Sequence, residues 1–371
     1  MTVREVILSA LSSRSTVMFL LFLWTVSIFG SIRYLAPGGD DALWIYSAVG
    51  FFETGKLSLY YGPQALPYYH IFPTYPFATA VFYWGWMLLG LPINLATYKV
   101  FHLLILVALV WSSAWLLKRS ANDDQVGRFR AVCFMSVLGI VPFALDAFYP
   151  RPEPLGILLT ILAVAAYDSG LSDRNGYGLA KLGLSGFLLG AAATCHPSFW
   201  FTSAGVALVA AIHLGARGRW RYFGLAAAMA VLPLVAVVGW YALDWPASYD
   251  QLAINAYRAG NFGMPLSMAW HVLAFKDGTS LANAFQWVFY ASFMVVIPVT
   301  AVLIFRRISS RDGVPISTIQ GVAIGIFLLC MVYLGVEGSG RVQVFAVASF
   351  FVLFAGAVFI RDDGKMSIVS T

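Results

Sequence analysis

Two adjacent carboxylates, Asp40 and Asp41, are the first residues of this chain whose types could do chemistry. They follow a long apolar segment in a chain of which 11% is charged. Neighbouring carboxylates repel each other, and this repulsion raises the pKa of one of them, which suits a general base. The Pro-Gly-Gly before the pair and the apolar residues after it also form a good helix start, because Asp is a strong N-cap residue. The two interpretations do not exclude each other.

Further ionisable residues stand at the ends of apolar runs, where a charged group is costly and therefore indicates a functional site. They are His70, Lys99, Arg151, Glu153, His196, Arg258 and Arg341. Two of them also have a simple structural interpretation. Glu153 follows Pro152, as in an ordinary helix start. His196 precedes Pro197 at a helix break, where a histidine is often structural.

The elements that must position these residues are membrane helices. The chain has 371 residues and is 60% hydrophobic, and apolar runs of about 20 residues, enough to span a bilayer, recur along it. The first apolar run is long for a signal peptide and lacks a small-residue cleavage site, so we expect a retained first helix. Cys133, Cys195 and Cys330 are widely spaced within apolar runs, which predicts neither a disulfide framework nor a zinc site.

The distribution of basic residues sets the expected topology, because short loops rich in Lys and Arg mark the cytoplasmic side. Most of the 23 lysines and arginines fall in clusters at 4–14, 118–130, 174–181, 217–221, 306–311 and 361–365. All of these clusters lie on one side, with both termini, if about ten helices span the membrane. The net charge of +6 then reflects orientation, and no nucleic-acid partner is expected.

The apolar run 76–96 would break this order, because counting it as a span would move Lys118 and Arg119 to the outside. We therefore expect a helix that lies along or dips into the outer face. The predicted fold class is an all-α polytopic membrane protein with about ten transmembrane helices and juxtamembrane helices in the first outer loop, about 37–96. A second long outer loop covers about 244–281.

The order and spacing of these residues resemble the GT-C type of integral membrane glycosyltransferase, which uses polyprenyl-phosphate sugars. The similarity is greatest to the branch of protein O-mannosyltransferases, lipid A aminoarabinose transferases and lipopolysaccharide galacturonosyltransferases, and it covers about residues 16–260. In that family an acidic pair, here Asp40-Asp41, precedes aromatic residues, here Trp44 and Tyr46, and a Pro-rich segment, here Phe72–Pro76. The resemblance implies a single GT-C domain over 1–371. Its catalytic module would cover about 1–243, with an outer loop at about 244–281 and further spans at about 282–360.

The chain departs from the family pattern at three positions. His70 is an approximate match to the Lys or His that often precedes the prolines. Lys99 stands where the family has Arg, which keeps the charge but loses bidentate binding to phosphate. Val342 replaces the Tyr that often follows the arginine matched by Arg341.

The resemblance also implies roles for the site residues. Asp40 would be the base that takes the proton of an acceptor hydroxyl, with Asp41 and Glu153 orienting the acceptor or holding a divalent ion. The leaving group would be a lipid phosphate, which cations stabilise. The residues implied to bind the phosphate or donor are Lys99, Arg151, Arg258, Arg341 and His196, and the acceptor or metal candidates are His70, Trp44 and Tyr46. Some family members use a metal and others do not, so a divalent ion stays open as the cofactor.

The implied reaction is an inverting transfer of a sugar from a polyprenyl-phosphate donor to a lipid-linked glycan or another acceptor. The partners would be that donor, a glycan or glycolipid acceptor and membrane lipids. The expected location is a bacterial inner membrane, with the active site on the periplasmic face. The alternative is a multi-span transporter or flippase of lipid-linked or anionic substrates. Against it, no inverted repeat is evident in the sequence, and the charges collect on one face.

Overall fold

The structure is a computed structural model, and it describes residues 6, 9–31, 40–54, 58–61, 64–67, 72–92, 95–141, 150–173, 176–251, 253, 281–309, 316–336 and 342–360. The helices are α1 (Arg14–Gly30), α2 (Asp40–Thr54), α3 (Thr74–Leu88), α4 (Leu95–Arg119), α5 (Asp124–Leu138), α6 (Glu153–Leu171), α7 (Gly178–Ala193), α8 (Phe199–Ala216), α9 (Trp220–Ala242), α10 (Leu281–Ser309), α11 (Thr318–Val336) and α12 (Val342–Phe359). A short antiparallel hairpin of β1 (Ser58–Tyr61) and β2 (Gln64–Pro67) follows α2.

The all-α polytopic architecture predicted from the sequence is confirmed. Four of the described helices are long and apolar enough to cross a membrane, and shorter apolar helices accompany them. The four are Thr97–Arg119, Glu153–Leu171, Phe199–Ala216 and Trp220–Ala242. The chain is therefore an integral membrane protein. The described residues also form one two-stranded sheet, the hairpin of β1 and β2, which the sequence analysis did not predict.

One end of the helix bundle carries ion pairs, and we call it the basic end. There Lys118 lies 3.1 Å from Asp124, which begins α5, and Arg119 lies 3.0 Å from Asp168 of α6. Next to these pairs, the fully buried guanidinium of Arg130 donates to the carbonyl oxygen of Ile360 at 3.0 Å, just past α12. The basic clusters of several loops thus lie together, as the topology predicted from the sequence requires.

Two helices cover the other end of the bundle in the manner expected for the first outer loop. Trp44 packs on Tyr75 and Phe52 packs on Tyr83, so α2 and α3 run parallel to each other. Tyr75 and Tyr83 both reach Tyr98 in the first turn of α4. Contacts from two turns of α3 to one turn of α4 indicate that α3 crosses the head of α4. At 15 residues, α3 is also shorter than the roughly 20 residues that a span needs.

Glycines set the spacing of the helices that follow. A Cβ at Gly186 of α7 would lie 1.9 Å from the Ala226 carbonyl oxygen of α9, so these two backbones touch. A Cβ at Gly205 of α8 would lie 2.9 Å from the Gly325 carbonyl oxygen of α11. A cavity of about 230 Å³ lies among α7, α8 and α9, and it is lined largely by alanine, glycine and serine residues.

Candidate functional site

The starts of α2, α3, α4 and α6 meet the turn between α7 and α8 at the end of the bundle opposite the basic end. We call this the site end. The position of the site end follows from helices that run the length of the bundle, with one terminus at the basic end and the other at the site end. Helix α4 has Lys118 and Arg119 in its last turn, and its first turns pack on α3. Helix α6 has Asp168 near its basic end and Glu153 in its first turn.

Tyrosine hydroxyls join three of these helix starts. The Tyr98 hydroxyl lies 3.3 Å from the Tyr75 hydroxyl of α3 and 3.3 Å from the Pro150 carbonyl oxygen, which precedes α6. Tyr75 continues the network to Nδ1 of His102, at 3.4 Å. Tyr75, Tyr98 and His102 are all fully buried. Hydrogen bonds in such a dry environment are stronger than in water, so this network holds the Pro150 turn to the heads of α3 and α4.

Lys99 and Arg151 each directly follow one of the two residues joined by that contact, Tyr98 and Pro150. Both side chains are half-buried. The contact therefore holds two cations, which are 52 residues apart in sequence, on neighbouring backbone segments. This is an arrangement that an anionic group could bridge.

Glu153 is 4% exposed in the first turn of α6, where an acid is favoured by the helix dipole. One turn further on, Gly156 packs so closely on the Phe199 ring that a Cβ would lie 2.3 Å from it, which brings α6 against the start of α8. Burial, together with the charge of the Glu153 carboxylate, raises the pKa of the Cys195 thiol in the turn between α7 and α8. The carboxylate thus lies close to that turn.

The turn between α7 and α8 is held from two sides. The Thr74 hydroxyl donates to Thr194 Oγ1 at 2.6 Å and ties the turn to the head of α3. Nδ1 of His196 lies 2.8 Å from Ser198 Oγ, which in turn lies 2.9 Å from the Tyr333 hydroxyl of α11. His196 itself is half-buried. The structure therefore brings His196 to the same end of the bundle as Glu153 and Arg151.

Asp40 and Asp41 form the first turn of α2, as the helix-start interpretation predicted. One turn later Trp44, at 9% exposed, makes an edge contact with Tyr75, with ring centroids 6.0 Å apart. The head of α2 therefore sits beside the tyrosine network. The burial of Trp44 favours a packing role for a residue that the resemblance offered as an acceptor or metal candidate. The side chains of Asp40, Asp41 and Tyr46, and the whole of His70, Arg258 and Arg341, lie outside the described residues.

Sequence reasoning missed the polar residues that connect the site end. They are Tyr75, Tyr98, His102, Thr194, Ser198 and Tyr333. One signal was present in the sequence, because His102 follows Lys99 by three positions and so shares its helix face.

Within the described ranges, no group of three or more His, Cys, Asp or Glu side chains is arranged to hold a metal ion. The three cysteines are free thiols, as their spacing predicted.

Comparison with known proteins finds similarity among solved structures. No protein-family model matches this chain, and no curated protein matches its sequence. Among solved structures, the chain is similar to the crystal structure of ArnT from Cupriavidus metallidurans bound to undecaprenyl phosphate. The sequence identity is 13% and the TM-score is 0.49, over 94% of this chain and 77% of that chain.

Proposed function

We propose that this protein is a membrane glycosyltransferase of the GT-C type, which moves a sugar from a polyprenyl-phosphate donor to a lipid-linked glycan or another acceptor at the outer membrane face. One observation carries the proposal. Several helix starts converge at the end opposite the basic end. They bear the carboxylates Asp40, Asp41 and Glu153 and the cations Lys99 and Arg151. A basic end on the cytoplasmic side would put this convergence on the outer, periplasmic side of a bacterial inner membrane.

The chemistry needs a base on one side of the sugar and cations on the other. Asp40 takes the proton of the acceptor hydroxyl as its oxygen bonds to the anomeric carbon. The bond from that carbon to the phosphate oxygen breaks in the same displacement, so the anomeric configuration inverts. Arg151 and Lys99 stabilise the charge that the leaving phosphate gains. Asp41 and Glu153 orient the acceptor, or hold a divalent ion if the reaction requires one.

The test is transfer of a labelled sugar from synthetic polyprenyl-phosphate donors by the detergent-purified protein, with a panel of hexoses and pentoses. Asp40→Asn should lower the turnover rate about 10²–10⁴-fold, the usual contribution of a general base. Thermal stability should change little, because a carboxylate in the first turn of a helix contributes only about 0.3–1 kcal/mol through the helix dipole. If Asp40 only stabilised the start of α2, activity would stay near that of the unaltered protein.

Asp41→Asn is the matched control, since it changes the neighbouring carboxylate in the same helix turn. It should cost less activity than Asp40→Asn. Full activity in the double variant would contradict a catalytic role for this pair. Removal of divalent ions with a chelator, followed by their replacement, shows separately whether transfer depends on a metal.

A further inference from the structure

The ring of His196 has a defined hydrogen-bonding direction. The backbone N–H of Ser198 donates to His196 Nδ1 at 3.3 Å. A backbone amide can only donate, so Nδ1 must present its lone pair. In a neutral imidazole the proton is then on Nε2, because one ring nitrogen accepts while the other donates. The geometry of the turn therefore selects one tautomer of His196.

Two hydroxyl groups reinforce this direction. Ser198 Oγ lies 2.8 Å from His196 Nδ1 and 2.9 Å from the Tyr333 hydroxyl. Since Nδ1 accepts, Ser198 Oγ donates to it, and the Tyr333 hydroxyl donates to Ser198 Oγ. Ser198 is 1% exposed and Tyr333 is 3% exposed, so this relay is buried. The Tyr333 ring also packs on Phe201, at 4.6 Å between centroids, which holds the hydroxyl in place.

We infer that Ser198 and Tyr333 are positioning residues that hold His196 as a neutral Nε2–H donor, and that this donor binds a phosphate oxygen of the polyprenyl-phosphate substrate. The inference rests on the proposed function, whose site end includes the turn that carries His196. It assigns a task to Tyr333 of α11. It also makes His196 a directional contact at the same end of the bundle as the cations Arg151 and Lys99.

A purely structural role for His196 makes a different prediction. Nδ1 accepts from the backbone at the start of α8, so the ring could serve only as a helix cap. The cap uses Nδ1, whereas the inferred contact uses Nε2. Two substitutions separate these nitrogens. In His196→Asn the amide oxygen can occupy the position of Nδ1, and in His196→Gln the amide nitrogen can occupy the position of Nε2.

The first measurement is the dissociation constant of polyprenyl phosphate, the leaving product, for the purified full-length protein. His196→Asn should weaken binding about twofold to tenfold, the contribution of one neutral hydrogen bond, while thermal stability is kept. His196→Gln should bind the phosphate more tightly than His196→Asn, although it loses the cap. The opposite order, with Asn binding normally and Gln binding weakly, would overturn the inference in favour of a cap.

The second measurement concerns the positioning residues. In Tyr333→Phe the Ser198 hydroxyl loses its donor and can itself accept a hydrogen from Nδ1. The second tautomer should then become partly populated, to an extent limited by the Ser198 backbone N–H, which still donates to Nδ1. We expect the ¹⁵N chemical shifts of the imidazole to show this change without any substrate, with the His196 signal identified by its loss in His196→Asn. Polyprenyl phosphate binding should weaken about twofold to tenfold, and the KM for the acceptor should stay constant.

Tyr167→Phe is the matched control for Tyr333→Phe. It removes another buried tyrosine hydroxyl that contacts a histidine, His213 Nδ1 at 3.1 Å, but at the basic end. This variant should bind polyprenyl phosphate normally. An Nδ1-protonated His196 in the unaltered protein, or equal losses in Tyr333→Phe and Tyr167→Phe, would overturn the inference. The ¹⁵N result needs no activity, so failure of the inference is distinguishable from failure of the glycosyltransferase proposal, which Asp40→Asn tests.

Discussion

The hydroxyl of Tyr98 is the point at which three separate parts of the chain meet. It has one hydrogen and two oxygen neighbours at 3.3 Å, the Tyr75 hydroxyl and the Pro150 carbonyl. The Tyr98 hydroxyl therefore donates its hydrogen to only one of these two oxygens at a time. Residues with no charge thus set the distance between the segments that carry Lys99 and Arg151.

Tyr98→Phe should loosen the Pro150 turn, because the buried carbonyl oxygen loses this neighbour. A buried polar group left without its partner costs about 1–3 kcal/mol, so thermal unfolding of the detergent-purified protein should shift to lower temperature. Sugar transfer should fall as Arg151 loses its position. Tyr75→Phe is the control, since it leaves the contact between Tyr98 and Pro150 in place. Equal effects in both variants would show that the contact between Tyr98 and Pro150 does not specifically position Arg151.

Arg151→Ala should weaken use of the donor more than use of the acceptor. It removes a charge-assisted hydrogen bond to phosphate, which contributes about 1.5–3 kcal/mol, or roughly tenfold to a hundredfold in affinity. Arg341→Ala carries the same expectation at a position outside the described residues. The measurement is kcat/KM for each substrate in turn. Donor kinetics that are unchanged in both variants would remove the phosphate assignment.

At the scale of residues, the charged groups of the site could be predicted from the sequence, but the hydrogen bonds between hydroxyl groups could not. Lys99, Arg151 and Glu153 were found because ionisable residues are rare in apolar sequence, and the structure brings them to one end of the bundle. The Tyr75, Tyr98 and Tyr333 hydroxyls were missed because tyrosine is common near membrane interfaces. Their partners also lie far away in sequence, with a separation of 135 positions for Ser198 and Tyr333. No local spacing reveals a contact of that kind.

At the scale of elements, glycines decide which helices touch. Gly186 and Gly190 let the α9 backbone approach α7, and a Cβ at either position would lie about 2 Å from a carbonyl oxygen of α9. Gly205 and Gly325 do the same for α8 and α11. A cavity lies between α8 and α9, and Gly186 and Gly190 of α7 form part of its lining.

Gly186→Ala should destabilise the protein even though alanine is the better helix former. The added Cβ would lie 1.9 Å from the Ala226 carbonyl oxygen, so the two backbones must move apart. Such overpacking costs about 1–3 kcal/mol, which outweighs the gain of about 1 kcal/mol in helix propensity. The measurement is thermal unfolding in detergent.

Gly183→Ala, on the same helix, provides the control of opposite sign. Its Cβ would meet the Met229 side chain at 3.5 Å, an ordinary contact, so the propensity gain should leave stability unchanged or higher. A loss of stability in both variants would mean that helix α7 tolerates no added methyl group. The specific contact between α7 and α9 would then have no special weight.

The helices themselves were predictable from the sequence, and one element was not. Apolar runs predict α1, α4 and α6 to α12, because a chain in a bilayer must satisfy its backbone hydrogen bonds within helices. The span predicted at 131–149 corresponds to α5, which instead begins at Asp124 and ends at Leu138. The hairpin of β1 and β2 was missed, since its strands have four residues each and lie in a loop. Strands this short leave no reliable alternation of apolar and polar residues. The single-domain prediction for 1–371 stays a prediction.

At the scale of the whole molecule, the distribution of charge predicts orientation. The basic end gathers Lys118, Arg119 and Lys181 into ion pairs with Asp124, Asp168 and Asp173. The Lys118–Asp124 pair is exposed and adds little stability, whereas the side chains of Asp168 and Asp173 are largely buried. The positive-inside rule counts lysines and arginines and gives Asp and Glu little weight, so these basic residues favour the cytoplasmic side although each pairs with an acid. The contacts show that these groups share one end, and the side of the membrane follows from the rule.

An engineered cysteine tests this orientation directly. Gly218 lies in the middle of a basic loop but has φ of 67°, a conformation that strains any other residue. Ser172, exposed beside Asp173 at the basic end, is the better position. In a background without the three native thiols, Ser172→Cys should resist an impermeant thiol reagent in intact cells and react after permeabilisation. Tyr249→Cys, 56% exposed beyond the far end of α9, should react in intact cells. The reverse pattern would contradict the topology.

The buried Arg130 has a consequence for how the molecule is made. Its guanidinium donates to Ser120, ten residues away in sequence, and to the Ile360 carbonyl, 230 residues later in synthesis. A ribosome adds about 5–20 residues per second, so the second acceptor arrives on the order of tens of seconds after the arginine. During that interval the charge must remain at a hydrated surface or be shielded by another protein. The basic end is therefore completed late, and a chain stalled before α12 would keep a cation exposed that quality-control proteins could recognise.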